Sequence, residues 1–75
     1  MIHFIQTVVK PIVDYPEAVE VIHRKDRRGD VYALIVHPED KGKVIGKNGR
    51  VAKAIRSVVY AYASKHPQKV YLDIQ

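Results

Sequence analysis

Residues 42–50, GKVIGKNGR, hold three of the four glycines in the 75-residue chain, together with three basic residues. Gly46 and Gly49 enclose Lys47 and Asn48 in a G-x-x-G arrangement. The first amides of a helix have no intrahelical acceptor and attract phosphates. Glycine has no Cβ, so it lets a ligand backbone approach closely. The segment therefore predicts a phosphate-binding turn placed just before a helix.

Three other interpretations of this segment fit less well. A tight corner between two helices would need one glycine, and two are present. A Walker loop needs four residues between its glycines, followed by Lys and Ser or Thr, whereas Gly42 and Gly46 enclose three and are followed by Lys-Asn. A dinucleotide fingerprint needs two glycines one residue apart, and the chain has none. Contact with a nucleic acid is favoured.

The distribution of charge supports the same interpretation. Residues 1–40 carry five basic and seven acidic side chains, whereas residues 41–75 carry eight basic and one acidic, which gives local balances of −2 and +7. No acid lies between Asp40 and Asp73. Such segregation is typical of a polyanion binder. The alternative is a solvated helix face, but solvated faces usually mix both signs.

Length and composition exclude several classes of protein. A chain of 75 residues predicts one domain, residues 1–75, with a single small core. The chain has no cysteine, so a disulfide scaffold and a thiolate metal site are excluded. No apolar run approaches the ~20 residues that span a bilayer. The first residues resemble no signal peptide, and we expect a cytoplasmic protein without membrane contact.

Hydrophobic periodicity predicts the order α-β-β-α-α-β. We expect a helix over 2–13 that kinks or ends early at Pro11, strands over 18–25 and 31–37, a short helix over 38–44, a helix over about 50–65, and a strand over 70–74. A helical crossover should make the last two strands parallel, while the first pairs antiparallel through a hairpin. The fold class is therefore α+β, a three-stranded mixed sheet with helices packed on one face.

The long helix has two predicted sides. The apolar stripe expected in the core is Val51, Ala54, Ile55, Val58, Val59 and Tyr62. The other side presents Lys53, Arg56, Ser57, Tyr60 and Ser64. Tyr62 is thus expected in the core and Tyr60 at a surface or subunit contact, although either ring could stack on a base.

The stretch GKVIGKNGRVAKAI resembles the G-x-x-I-G-x-x-G-x-x-h-K-x-I core of the KH domain. A helix and a strand before the core strand resemble the type II arrangement. Together with VKPIVDYPEAVEV, PEDKGKVIGKNGRVAKAIRSVV and KVYLDI, the likeness to the small bacterial single-KH proteins of the KhpA (YlqC) family covers essentially the whole chain. The resemblance implies a type II KH domain that binds single-stranded RNA, as an RNA chaperone or post-transcriptional regulator. It also implies a homodimer or a heterodimer with a KH-R3H protein of the KhpB kind.

The resemblance assigns roles to particular residues. The loop Gly46, Lys47, Asn48 and Gly49 would clamp the backbone of about four unpaired nucleotides. Ile45 would anchor the loop in the core, and the groove floor would draw on Val44, Val51 and Ile55. Lys43, Arg50 and Lys53 would supply further positive charge. Ala52 stands where many KH domains have a larger aliphatic residue, which predicts a shallow floor and weak base discrimination.

The remaining histidine, basic and acidic residues indicate neither a metal site nor a catalytic site. The four histidines, His3, His23, His37 and His66, fall in four predicted elements and show no metal-ligand spacing, so no metal and no cofactor is expected. Arg24, Lys25, Arg27 and Arg28 are interpreted as a solvated turn, with a second basic wall as the alternative. An enzyme is disfavoured because no nucleophile, base and acid cluster together. The main rival function is a dimerisation or adaptor module that recruits a protein partner.

Overall fold

A computed structural model describes residues 1–65 and 69–74 of the chain. Its helices and strands, in chain order, are α1 (Ile2–Val9), β1 (Glu20–Asp26), β2 (Gly29–Ile35), α2 (Lys41–Ile45), α3 (Arg50–Ala63) and β3 (Val70–Ile74). Short 3₁₀ turns lie at Pro16–Ala18, Pro38–Asp40 and Lys47–Gly49. The α-β-β-α-α-β order and the α+β class are confirmed.

The sheet has three strands in the order β1-β2-β3. β1 pairs antiparallel with β2, and β2 pairs parallel with β3, as the crossover predicts. Strand β2 is therefore central and β3 is one edge. The predicted helix-breaking turn between α3 and β3 falls mostly on residues 66–68, outside the described residues.

The core lies between one face of the sheet and the helices. Its fully buried apolar side chains come from α1, β2, α2 and α3: Ile5, Val9, Leu34, Val44 and Val59. On β3, Leu72 is buried in the same cluster. Because side chains alternate along a strand, the neighbours of Leu34 and Leu72 point to the opposite face.

The element boundaries differ from the prediction by a few residues, for local reasons. Helix α1 ends at Val9, which confirms the early end expected from Pro11. β2 begins two residues earlier than predicted, at Gly29. The φ of this residue is 131°, a backbone conformation that glycine adopts readily and other residues rarely do. The amide of Asp30 donates a hydrogen bond to the carbonyl of Lys69 (3.0 Å), which ties the start of β2 to the approach to β3.

The buried side of α3 differs from the predicted stripe. Ala52, Ile55, Val59 and Ala63 are buried, whereas Ala54, Val58 and Tyr62 are exposed. The helix carries apolar residues on two adjoining sides, so periodicity alone could not select one. The side that includes two small alanines is the one packed inward. The Tyr62 ring stacks on Phe4 of α1, with ring centroids 4.1 Å apart, so its predicted place in the core is wrong.

Asp40, directly before α2, is a buried acid that holds two distant backbone amides. Its side chain is 1 % exposed, and its carboxylate oxygens accept hydrogen bonds from the amides of Asp14 (3.1 Å) and Tyr15 (3.0 Å). The carboxylate joins the segment after α1 to the helix that leads into the glycine loop.

Candidate nucleic-acid interface

The G-x-x-G loop is a sharp turn between α2 and α3 with three residues at positive φ. Gly46 has φ 75° and ψ 174°, Asn48 has φ 59° and ψ 26°, and Gly49 has φ 73° and ψ 14°. The amide of Gly49 donates a hydrogen bond to the carbonyl of Gly46 (3.2 Å). Asparagine is among the residues that tolerate the left-handed region. The sequence G-K-N-G thus suits this backbone closely.

The two glycines of the loop are needed for different reasons. A Cβ on Gly46 would collide with the side chain and backbone nitrogen of Val51. A Cβ on Gly49 would meet no atom within 4 Å, so only its backbone conformation calls for glycine. Gly46 therefore lets the loop fold tightly against α3, and Gly49 turns the chain into the helix.

The loop presents an electropositive surface at the start of α3. Lys47, Asn48 and Arg50 are exposed. Helix α3 has no side-chain cap on its first amides and no acid in its first turn. The partial positive charge of the helix N-terminus therefore adds to two side-chain cations, and no carboxylate opposes them within that turn. An anion is the ligand that this arrangement favours.

The structure corrects the roles expected of the apolar residues around the loop. Ile45 does not anchor the loop in the core, because its side chain is 43 % exposed. Val44 and Ile55, expected in the groove floor, are buried in the core cluster. Val51 is half-buried against Gly46. Of the four apolar candidates, Ile45 and Val51 are therefore the two that a ligand could touch.

Lys43 has a partner that the sequence did not predict. Its ammonium forms an ion pair with the carboxylate of Asp14, which lies between α1 and β1. That hydrogen bond raises the pKa of Lys43 above its ordinary value. The two residues are 29 positions apart, so no local sequence signal could have revealed the pair.

The basic side chains of α3 continue away from the loop. Lys53 is exposed one turn after Arg50. Arg56 lies one turn further, and its Nε donates a hydrogen bond to the carbonyl of Leu72 on β3 (3.4 Å). Residues three or four apart share one side of a helix. Arg50, Lys53 and Arg56 therefore form a basic row that runs from the loop to the edge of β3.

Within residues 1–65 and 69–74, no group of three or more His, Cys, Asp or Glu side chains could hold a metal ion. Across the same residues, none of the helices combines the length and the hydrophobicity that a bilayer crossing needs. His66 lies outside the described residues.

Comparison with known proteins identifies the family. A sequence model described as "KhpA/KhpB, KH domain" matches residues 2–74. The chain belongs to this KH-domain family. The resemblance found in the glycine motif is thus confirmed, together with the type II arrangement of its elements.

Relatives in several bacteria match over nearly the whole chain. RNA-binding protein KhpA of Oceanobacillus iheyensis is 51 % identical over 70 residues, which cover 93 % of each chain. RNA-binding protein KhpA of Listeria monocytogenes is 47 % identical over 74 residues, 99 % of this chain and 97 % of the relative. The protein of the same name from Streptomyces coelicolor is 46 % identical over 70 residues, covering 93 % and 89 %. These names describe an RNA-binding protein, in agreement with the non-enzymatic interpretation of the sequence.

Proposed function

We propose that the protein binds single-stranded RNA through the G-x-x-G loop and the adjoining start of α3. The observation that carries the proposal is the exposed pair Lys47 and Asn48 on a loop that opens directly onto the uncapped, acid-free first turn of α3. The names of the relatives, each an RNA-binding protein, support the same function.

In this proposal the loop acts as a backbone clamp. The phosphates of about four unpaired nucleotides lie along the loop, where Gly49, whose missing Cβ faces open space, keeps the protein backbone accessible. Lys47 and Arg50 neutralise phosphates, and Lys53 does so one turn further along α3. Ile45 and Val51 offer apolar contact to the sugar or base edge. Lys43 adds positive charge beside the RNA, either within its ion pair with Asp14 or after that pair has opened.

We also propose that the contact is tolerant of base sequence. Val44 and Ile55, the residues expected in the groove floor, are buried, which leaves little of that floor exposed to a base edge. A clamp on the backbone suits an RNA chaperone or a post-transcriptional regulator that meets many transcripts. We take residues 1–75 as one type II KH domain acting in the cytoplasm.

The test replaces Lys47 and Asn48 with aspartates. Two negative charges beside phosphates should lower the affinity for a single-stranded uridine 5-mer at least about tenfold, equivalent to about 1.4 kcal/mol. Aspartate, like asparagine, tolerates positive φ, so the fold should be retained. For the parent, neutralisation of three or four phosphates predicts a log–log salt slope of roughly −2 to −3.

The control is Lys10→Glu on the exposed C-terminal cap of α1, which changes the net charge by two units, against three in the double aspartate variant. This variant should bind the 5-mer nearly as the parent does. A double aspartate variant that is folded and binds RNA like the parent would show that the loop is only a corner between helices. A salt slope near zero would show that no phosphates are neutralised.

A second candidate function, self-association or recruitment of a KH-R3H partner of the KhpB kind, has one observation in its favour. Ala54, Val58 and Tyr62 form an exposed apolar strip on α3, and Val58 is 47 % exposed. Tyr60, which the sequence placed at a surface or subunit contact, is 39 % exposed, and its hydroxyl oxygen accepts a hydrogen bond from the Leu72 amide of β3. A small domain gains stability from burying such a surface.

The experiment for this candidate is sedimentation of the parent and of Val58→Asp at high micromolar concentration. A dimer that dissociates in the variant, with 5-mer binding retained, would support association through the strip. A monomeric parent would contradict self-association, and capture of a purified KH-R3H protein by the parent but not by the variant would favour the heterodimer.

A further inference from the structure

The β1–β2 hairpin and the edge of β3 enclose a surface that none of the roles above uses. Position Arg24 of β1 pairs with Val31 of β2, and Val31 pairs with Tyr71 of β3. Side chains at paired positions share one face of a sheet. Because Leu72 points into the core, this row lies on the face opposite the helices.

Val31 lies at the centre of this row, between Arg24 and Tyr71. It is buried although it lies on the face away from the helices, so its neighbours on the same face must cover it. The guanidinium of Arg28 lies over the Tyr71 ring, 5.2 Å from its centroid. A depression of about 620 Å³ opens here, and its lining includes Arg24, Lys25, Arg28, Tyr60 and Tyr71.

The acids of the hairpin do not cancel its positive charge. Asp26 accepts hydrogen bonds from the amide (2.8 Å) and the guanidinium (3.1 Å) of Arg28, and so it orders that side chain over Tyr71. Asp30 is buried and lies 2.7 Å from the ring of His23. Arg24, Lys25 and Arg27 remain exposed on the hairpin. Asp26 and Asp73 both line the depression, and the three cations Arg24, Lys25 and Arg28 outnumber them by one.

One side of α3 leads from the proposed RNA site to the depression. Lys53 and Arg56 share one side of α3 with Tyr60, which lines the depression. Ten residues separate Arg50 from Tyr60, so the loop and the depression lie about 15 Å apart along the helix. Cations interleaved with aromatic rings along such a track are typical of single-strand binding surfaces.

We propose that the hairpin–β3 depression is a second contact for the same RNA strand, which extends the footprint beyond the four nucleotides at the loop. The proposal rests on the proposed function. Phosphates lie against Arg24 and Arg28, and an unpaired base packs on the exposed parts of the Tyr71 and Arg28 platform. The structure thus assigns to the chain a long, sequence-tolerant track rather than a single clamp.

The test compares a uridine 5-mer with a uridine 20-mer on Arg24→Gln/Arg28→Gln and on the double aspartate loop variant. The loop holds about four nucleotides of the 5-mer and leaves at most one for the depression, so the hairpin variant should bind it nearly as the parent does. The 20-mer reaches both sites, so the hairpin variant should bind it about five- to tenfold more weakly. Loss of two phosphate contacts should make its salt slope about 1.4 less negative.

Two controls keep the outcomes distinct. Lys10→Glu matches the net charge change of two units and should not affect the 20-mer beyond a small general loss. Arg24→Lys/Arg28→Lys keeps the charge and should keep the salt slope, which separates a folding defect from a lost contact. Each probe is compared across proteins, so the larger number of registers on a 20-mer cancels.

An unchanged 20-mer affinity in the folded glutamine variant would overturn the second contact and would leave the hairpin to another ligand, such as an acidic protein. An equal loss for the 5-mer and the 20-mer would also overturn it, because the effect would then be general. Failure of the loop variant to weaken the 5-mer would instead overturn the proposed function, whatever the hairpin variant does. A parent that binds neither probe would overturn both.

Discussion

The hydroxyl oxygen of Tyr60 accepts a hydrogen bond from the backbone amide of Leu72 at 3.2 Å. Tyr60 projects from α3, and Leu72 lies in β3, the edge strand of the sheet. Arg56, four residues earlier on α3, donates to the carbonyl of the same residue. The two side chains therefore occupy both backbone groups at the middle of an edge that could otherwise pair with another strand.

Replacing Tyr60 with phenylalanine should destabilise the protein. The change removes the only atom of the side chain that accepts from the Leu72 amide, at a partly buried site, so we expect a loss of about 0.5–1.5 kcal/mol in the free energy of unfolding. Urea denaturation measures it. Tyr71→Phe, which removes a hydroxyl on the outer face and keeps the ring beneath Arg28, is the matched control and should change stability less. Equal losses in the two variants would contradict the edge contact.

The sequence predicted those parts of the fold that depend on local chemistry. Pro11 ended α1, the glycines marked the loop, and alternation along 70–74 gave β3. The inward side of α3 was wrong because apolar residues occupy two adjoining sides of that helix, and only packing against α1 and the sheet selects between them. Tyr62, expected in the core, stacks instead on Phe4 at its surface.

The candidate site was predicted less completely, for a related reason. The G-x-x-G loop and its exposed Lys47 and Asn48 follow from short-range pattern. The pairing of Lys43 with Asp14 and the outer row of Arg24, Val31 and Tyr71 depend on contacts between distant segments, which only the sheet register and the tertiary fold create.

Alanine substitutions at the three glycines of residues 42–49 should differ in sign and size. Gly46→Ala places a Cβ against Val51 in a backbone region that is essentially restricted to glycine, so we expect a loss of more than about 2 kcal/mol. Gly49→Ala meets open space but keeps a left-handed φ, at a cost of about 1–2 kcal/mol. Gly42→Ala lies within α2 in open space and should stabilise by about 0.5–1 kcal/mol. Thermal unfolding of the three variants gives the order, and a Gly49 variant less stable than the Gly46 variant would contradict it.

Asp40→Ala should be among the most destabilising substitutions outside the apolar core. It leaves the amides of Asp14 and Tyr15 without their acceptor at a part-buried site, and hydrogen bonds to charged groups contribute about 1.5–3 kcal/mol each. We expect a loss of about 3 kcal/mol or more, and a smaller loss in Asp40→Asn, which keeps one acceptor oxygen. Glu39→Ala, which removes an exposed hydrogen bond from the Tyr15 hydroxyl, is the neighbouring control. A loss in Asp40→Ala no greater than in that control would show that the two amides are satisfied by other means.

Asp14→Asn should strengthen RNA binding, because it releases Lys43 from its ion pair and removes a carboxylate next to the candidate site. Removal of one repulsive charge at short range in water predicts a gain of about two- to fivefold in affinity for the uridine 5-mer.

The same substitution should change the titration of Lys43. The pKa of Lys43, raised in the parent by the Asp14 hydrogen bond, should fall back towards its ordinary value of 10.5, as followed by NMR of the Lys43 side chain. The stability that this pair contributes is present below pH 10.5 and is lost as the pH rises through the raised pKa, so the parent and variant should converge in stability at strongly alkaline pH. The control for the gain in RNA affinity is Glu20→Gln at an exposed position on β1. It changes the net charge by the same single unit as Asp14→Asn and leaves Lys43 paired. An equal gain in that control would assign the effect to net charge, and no gain in either variant would show that Lys43 does not face the RNA.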